Sequence, residues 1–171
     1  PVRPQPSSAD VEDVPCEVPS YSFSRILVPI DYSAHSLRAV VFAWQLADRL
    51  GDGTSVDLLH VTPRPVDYLP IDEWIWGESR EPMHVESKLK EAANEALRAY
   101  TRTLPERMRC RVNVRLEIGV PYRVILDVVR DGKYDLLVIG THGRNASRQV
   151  RLGSVAERIV RFAPTTVITV R

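Results

Sequence analysis

The stretch that decides the fold is DLLVIGTHGRNASRQVRLGSVAERIVRF, residues 135–162. DLLVIG is apolar after its first residue, as a strand buried on both faces should be. Gly140 and Gly143 follow, then nine residues without glycine, then Gly153 and Ser154. VAERIVRF has helical character, and Pro164 stops it. A surface turn needs one or two glycines, whereas three around an arginine-rich loop read as backbone built around a ligand. Gly140 and Gly143 let the main chain approach a bound group because no Cβ intervenes. Successive N–H groups in such turns form an anion-binding concavity. Gly153 and Ser154 open a helix whose first N–H groups have no internal partner and lie at the positive end of the dipole. Two donor sites bracketing a loop suit a phosphate chain, and Arg144, Arg148 and Arg151 add positive charge. Taken singly, Gly140 can just end a strand, Gly153-Ser154 can just cap a helix, and the arginines can be solvated surface charge.

Working outward, the other elements alternate. RILVPI (residues 25–30) suits a buried strand. From Ser33 the period becomes helical, with Leu37, Val40, Val41, Trp44, Ala47 and Leu50 on one face. Ser33 or Asp31 can cap this helix, and Gly51 can end it in the left-handed conformation. SVDLLHV (55–61) is a second strand, and residues 83–103 form a helix with Val85, Leu89, Ala92, Ala96, Leu97 and Tyr100 on its apolar face. RVNVRLEI (111–118) alternates strictly, the period of a half-exposed strand at the margin of a sheet. Gly119 turns the chain, Pro121 sits in the first turn of a helix carrying Val124, Ile125, Val128 and Val129, and Gly132 ends it. TTVITV closes the chain as a fifth strand. Strict β-α alternation predicts an α/β fold, with a parallel sheet and helices on both faces.

Composition excludes several classes. The chain has 171 residues, enough for one domain with a proper core. A net charge of +1 leaves no global footprint for nucleic acid. No apolar run approaches the ~20 residues of a membrane span. Cys16 and Cys110 form neither a CxxC pair nor a disulfide framework, which fits a cytoplasmic protein. Residues 1–23 are proline-rich, aperiodic and without the apolar core of a signal peptide, so they read as an irregular leader before a domain of residues 24–171. Residues 62–82 show neither period and hold Trp74 and Trp76, which cover a ligand, meet a partner chain or pack locally. His60 reads as a structural histidine, and no His, Cys or Asp cluster has metal-ligand spacing.

In an open parallel sheet the ligand crevice lies at the carboxyl ends of the strands, at the switch point in strand order. Asp31-Tyr32-Ser33 and the glycine loop leave such ends. The chain has no GxxxxGK[ST], no GxGxxG after the first strand and no GxSxG, so the common phosphate and nucleophile motifs are absent.

The spacing G-x2-G-x9-G-S, met by Gly140, Gly143, Gly153 and Ser154, resembles the universal stress protein family. ILVPID, LLHV, GVPYRVI, YDLLVIGTHGR and GSVAERIVRFAPTTVITV extend the resemblance over residues 24–171. In that family the motif marks the branch that binds ATP. The resemblance implies an open five-stranded parallel sheet of order 3-2-1-4-5, of the adenine nucleotide alpha hydrolase-like kind. It implies that Pro29, Ile30 and Asp31 line the adenosine end and that Val61 meets adenine through its backbone. Ile139 and Gly140 would flank the sugar and base, and His142, Gly143 and Arg144 the phosphates. Gly153, Ser154 and Val155 would hold the phosphates through N–H groups and the Ser154 hydroxyl. Asp31 can equally be only a helix cap. Magnesium would arrive with ATP, held through phosphate oxygens. The implied function is an ATP-binding stress-response module, homodimeric through the last strand. The alternatives are a slow ATP hydrolase, with His142 the nearest general base by position, and an interaction module without nucleotide.

Overall fold

A computed structural model describes residues 22–63, 82–109, 112–143 and 152–171. Residues 1–21 of the leader, Cys16 among them, and Cys110, Trp74, Trp76, Arg144, Arg148 and Arg151 lie outside the described residues, while Phe23 packs against the core. The order is β1 (Arg25–Ile30), α1 (Ala34–Leu50), β2 (Ser55–Thr62), α2 (Pro82–Thr103), α3 (Glu106–Arg109), β3 (Val112–Ile118), α4 (Pro121–Asp131), β4 (Leu136–Gly140), α5 (Ser154–Phe162) and β5 (Thr166–Val170). The short α3 is the one described element without a counterpart in the sequence pattern. The five strands form one sheet in the order β3-β2-β1-β4-β5, all described pairs parallel. The expected α/β fold with order 3-2-1-4-5 is therefore the fold of this chain.

Burial explains the order. β4 is buried along its whole length, and β1 from its second residue on. Ile26, Val28, Val56, Leu58, Leu136 and Val138 form one core with α1, α2 and Met108 of α3. Leu27, Leu59, Leu137 and Ile139 form the other with α4 and α5. β3 lies at an edge, and Val114 on it is 40 % exposed. Among the described residues, no helix is long and apolar enough to cross a membrane.

Two helix faces depart from the expected pattern. In α1 the buried residues are Ser36, Ala39, Val40, Ala43, Trp44 and Ala47, while Leu37, Val41 and Leu50 are exposed. The helix turns its small residues to the sheet, which brings its backbone close and moves the larger side chains to the flank. In α2, Ala93 and Leu97 are buried, whereas Ala92 and Ala96 are exposed. Gly51 ends α1 with φ 98° and ψ −173°, so its backbone has positive φ but is extended in ψ rather than left-handed helical. Ser33 is the α1 cap, its Oγ accepting from the Ser36 N–H at 3.1 Å.

One feature of the sheet positions everything at its carboxyl end. β1 pairs with β2 through Ile30↔His60, and β4 with β5 through Gly140↔Val170. The β1–β4 ladder holds only Ile26↔Leu136 and Leu27↔Leu137. Asp135 N–H donates to the Arg25 carbonyl, so Arg25 faces β4. Backbone groups alternate along a strand, so Leu27 and Pro29 face β4 too. Pro29 has no N–H to donate, and the ladder ends before it. The two central strands therefore stay unpaired with each other in their carboxyl halves, while each keeps its outer neighbour.

The opposite end of the sheet is tied shut. The Asp135 carboxylate accepts from the Ser24 N–H and hydroxyl, both at 2.8 Å, and from the Arg25 N–H at 3.1 Å. The Tyr134 hydroxyl donates to Asp57, and the Arg25 guanidinium lies 4.8 Å over the Tyr134 ring. Burial, then the bond to Asp57, push the Tyr134 phenol up to about 12. A phenol raised in the folded state stabilises fully below its unfolded value of about 10 and loses that stabilisation as pH rises through the folded value. Thermal melts should accordingly show the midpoint falling between about pH 10 and about pH 12, and falling less in Tyr134→Phe. Equal falls in both proteins would show that Tyr134 does not carry this linkage.

Candidate functional site

The unpaired halves of β1 and β4 open a cleft of about 570 Å³, within the usual size of small-molecule sites. β1 and its exit contribute Pro29, Ile30 and Asp31, and β2 contributes Val61. β4 and its exit contribute Ile139, Gly140, His142 and Gly143. The start of α5 contributes Gly153, Ser154 and Val155. Every residue the sequence nominated lines this cleft except Arg144, which lies outside the described residues.

The exit from β1 is a tight corner. Tyr32 adopts φ 66°, left-handed backbone that a side chain rarely takes. Its ring lies on His60 at 4.4 Å and near Tyr100 at 5.4 Å, which holds the corner. The Asp31 carboxylate accepts from the Ser33 N–H at 3.0 Å, a local turn of the kind Asp favours. Asp31 therefore shapes the turn while Ser33 caps the helix. His60 is buried, with Nδ1 2.9 Å from the Ile30 carbonyl. A carbonyl only accepts, so Nδ1 carries the proton. His60 is structural in this sense, yet it also lines the cleft.

The three motif glycines answer to different demands. A Cβ on Gly140 would come within 2.8 Å of the His35 carbonyl carbon and 3.0 Å of the Ser36 nitrogen. The space beside Gly140 is thus filled by the backbone of α1, not kept for a ligand as its sequence position suggested. A Cβ on Gly143 would meet the Asp31 carboxylate at 2.8 Å. A Cβ on Gly153 would meet nothing nearer than 3.4 Å, an ordinary contact. Gly153 has φ −68° and ψ 152°, which any residue can adopt. The protein itself makes no demand for glycine at position 153.

α5 begins differently from α1. Gly153 supplies no side-chain cap, and its carbonyl accepts the first helical bond from Glu157 at 2.8 Å. The N–H groups of Ser154, Val155 and Ala156 have no carbonyl behind them in the helix. All three residues line the cleft. Gly153 N–H donates to the Thr141 carbonyl at 2.7 Å, which ties the helix start to the end of β4. No Lys or Arg is among the described lining residues, and Asp31 is the one acid there. Attraction for an anion would come from oriented N–H groups and imidazoles. No group of three His, Cys, Asp or Glu able to hold a metal ion occurs among the described residues.

Sequence reasoning missed several lining residues. Pro121 and Ile125 of α4 add apolar surface to the lining of the cleft. Thr141 and Ser36 line it from the interior. The GVPYRVI turn was a usable signal for Pro121, since a first-turn proline places that helix end at the strand exits. Nothing in the sequence signalled His35, whose ring centroid lies 5.1 Å from that of His142.

The universal stress protein family model matches residues 22–171. Universal stress protein MJ0531 of Methanocaldococcus jannaschii is 30 % identical over 149 residues, covering 87 % of this chain and 82 % of that protein. Universal stress protein UspA from Lactobacillus plantarum shares the fold at TM-score 0.69 and 23 % identity, over 89 % of this chain and 100 % of that one. A universal stress protein family protein from Arabidopsis thaliana, solved with AMP bound, aligns at TM-score 0.56 and 17 % identity, over 86 % and 90 % of the two chains. The chain belongs to the universal stress protein family.

The different surroundings of two glycines can be measured. Gly140→Ala should destabilise the fold by ~1–3 kcal/mol in urea titrations, because backbone must shift to admit the methyl. Gly153→Ala should stay within about 0.5 kcal/mol of the wild type. Equal losses would contradict these packing distances.

Proposed function

We propose that this universal stress protein binds an adenine nucleotide in the cleft between β1 and β4, with ATP as the ligand and regulation of partner proteins as the use. The observation that carries the reading is the start of α5, which has no side-chain cap among the described residues and whose first residues line a cleft with Gly143 and Gly153. A phosphate chain satisfies the first N–H groups of that helix and gains from the helix dipole. The apolar wall of Val61, Ile125 and Ile139 suits a purine, and the AMP bound by the Arabidopsis relative supports that choice. In this reading Pro29, Ile30 and Val61 contact the base. Asp31 accepts from a ribose hydroxyl, Ile139 and Gly140 flank the sugar, and His142, Gly143, Arg144, Gly153, Ser154 and Val155 surround the phosphates. Magnesium would be held through phosphate oxygens, since divalent magnesium keeps waters and substrate phosphates as ligands.

The same reading makes the protein a homodimer through β5. β5 is an edge strand with Val167, Ile168 and Val170 half-exposed, and Phe162 at the end of α5 is 59 % exposed. An unpaired, β-branched edge flanked by an exposed aromatic is a surface that pairing would cover. Sedimentation should give a dimer for the wild type, and Thr169→Lys should shift it toward monomer. A wild type that stays monomeric at every concentration would remove this partner.

Calorimetry tests the ligand. ATP should bind the wild type, and Gly153→Val should lose at least about a hundredfold in affinity with an unchanged circular dichroism spectrum, roughly 2.7 kcal/mol. Equal affinity in the two proteins would place the ligand elsewhere.

A further inference from the structure

We propose that His35, through its ring contact with the cleft-lining His142, forms with it a proton-linked subsite for a terminal phosphate of the nucleotide. The inference rests on the nucleotide reading above and adds a residue, His35, that no sequence motif marks. His142 lines the cleft beside Gly143, Gly153 and Ser154. Its Nδ1 lies 2.9 Å from the Thr141 hydroxyl, and its carbonyl lies 3.5 Å from the Ser33 hydroxyl. His35 occupies the first turn of α1, and its ring centroid is 5.1 Å from that of His142, tilted by 47°. Gly140 makes this meeting feasible, because only a residue without a Cβ lets the backbone of His35 approach β4 so closely.

The charges around the pair set its behaviour. Partial burial first, then the Arg38 guanidinium on α1 and the His142 imidazole, hold His35 below the usual histidine value. Asp31, from the β1 exit, opposes them. His35 therefore takes up a proton less readily than a free imidazole, so its charge depends on what is bound beside it. A phosphate brought beside the rings stabilises the protonated form and raises its pKa. The phosphate-bound state then binds more protons than the free protein, so affinity strengthens as pH falls through the raised value and levels off below the free-protein value. His35 is the group whose proton affinity the phosphate raises, so the uptake expected is about one proton.

Calorimetry of the wild type and His35→Gln with ATP, AMP and adenosine, in buffers of different ionisation heat, counts the protons. Runs between about pH 5.5 and about pH 8 span the histidine range. Wild type should take up about one proton with ATP near neutral pH and gain up to about tenfold in affinity per pH unit, relative to His35→Gln. The ionisation of the nucleotide's own phosphates is common to both proteins and cancels in that comparison. Adenosine, with no phosphate, should bind both proteins alike and without proton uptake. Measurable ATP binding with no proton uptake by the wild type overturns the subsite and leaves the nucleotide reading standing. Equal uptake by wild type and His35→Gln, or equal uptake with adenosine, also overturns it. Should His35→Gln fail to fold, His35→Asn takes its place in the same comparison with the wild type. A wild type that binds none of the three compounds at any pH overturns both readings.

Discussion

The carboxyl end of the sheet depends on a missing hydrogen-bond donor. Pro29 lies in a central strand on the side that faces β4, and it has no N–H. The β1–β4 ladder stops after Leu27↔Leu137, while the outer ladders continue to Ile30↔His60 and Gly140↔Val170. A fully laddered sheet would leave only a shallow rim at this place. Here β1 and β4 are unpaired with each other beyond Leu27↔Leu137, and their exits line a cleft. At the other end, Asp135, Asp57 and Tyr134 tie the same strands together. The sheet is closed at its amino end and open where a ligand can enter.

The second constraint is the distance between α1 and β4. α1 presents Ser36, Ala39, Ala43 and Ala47 to the sheet, and its first turn comes so close that residue 140 can carry no side chain. That approach sets the positions of Asp31, Ser33 and His35 against the glycine loop. Gly143 then accommodates the Asp31 carboxylate. Gly140 is thus explained by the protein's own packing, Gly143 meets only the movable tip of the Asp31 side chain, and Gly153 has ordinary space beside it. A motif that reads as one phosphate cradle in the sequence holds, in three dimensions, one backbone packing device and two glycines whose bareness the backbone does not demand.

Much of this was legible in the residues. The apolar run of β4, the alternation in β3 and the β-α order led to the fold class, because burial on two faces or one leaves a direct mark on side-chain polarity. The nominated residues on the strand exits came together because strand-loop-helix units in a parallel sheet deliver their loops to one end. The face of α1 was misjudged, since a hydrophobicity pattern favours large residues while close packing favours small ones. Pro121 and Ile125, far from the motif in sequence, reached the cleft only through the packing of α4 on the sheet. His35 met His142 across more than a hundred residues of chain, a distance that no local pattern encodes.

Local chemistry alone marked the five strands, the helices α1, α2, α4 and α5, the half-exposed character of β3, and the backbone stretch with glycines and a helix start at phosphate spacing. These are properties of neighbouring residues, so they survive in a one-dimensional record. Tertiary structure decided that the β1–β4 ladder ends before Pro29, that Gly140 serves α1, and that the rings of His35 and His142 meet. Each of those depends on which side of a strand or helix faces which neighbour, and that is settled only when the elements pack.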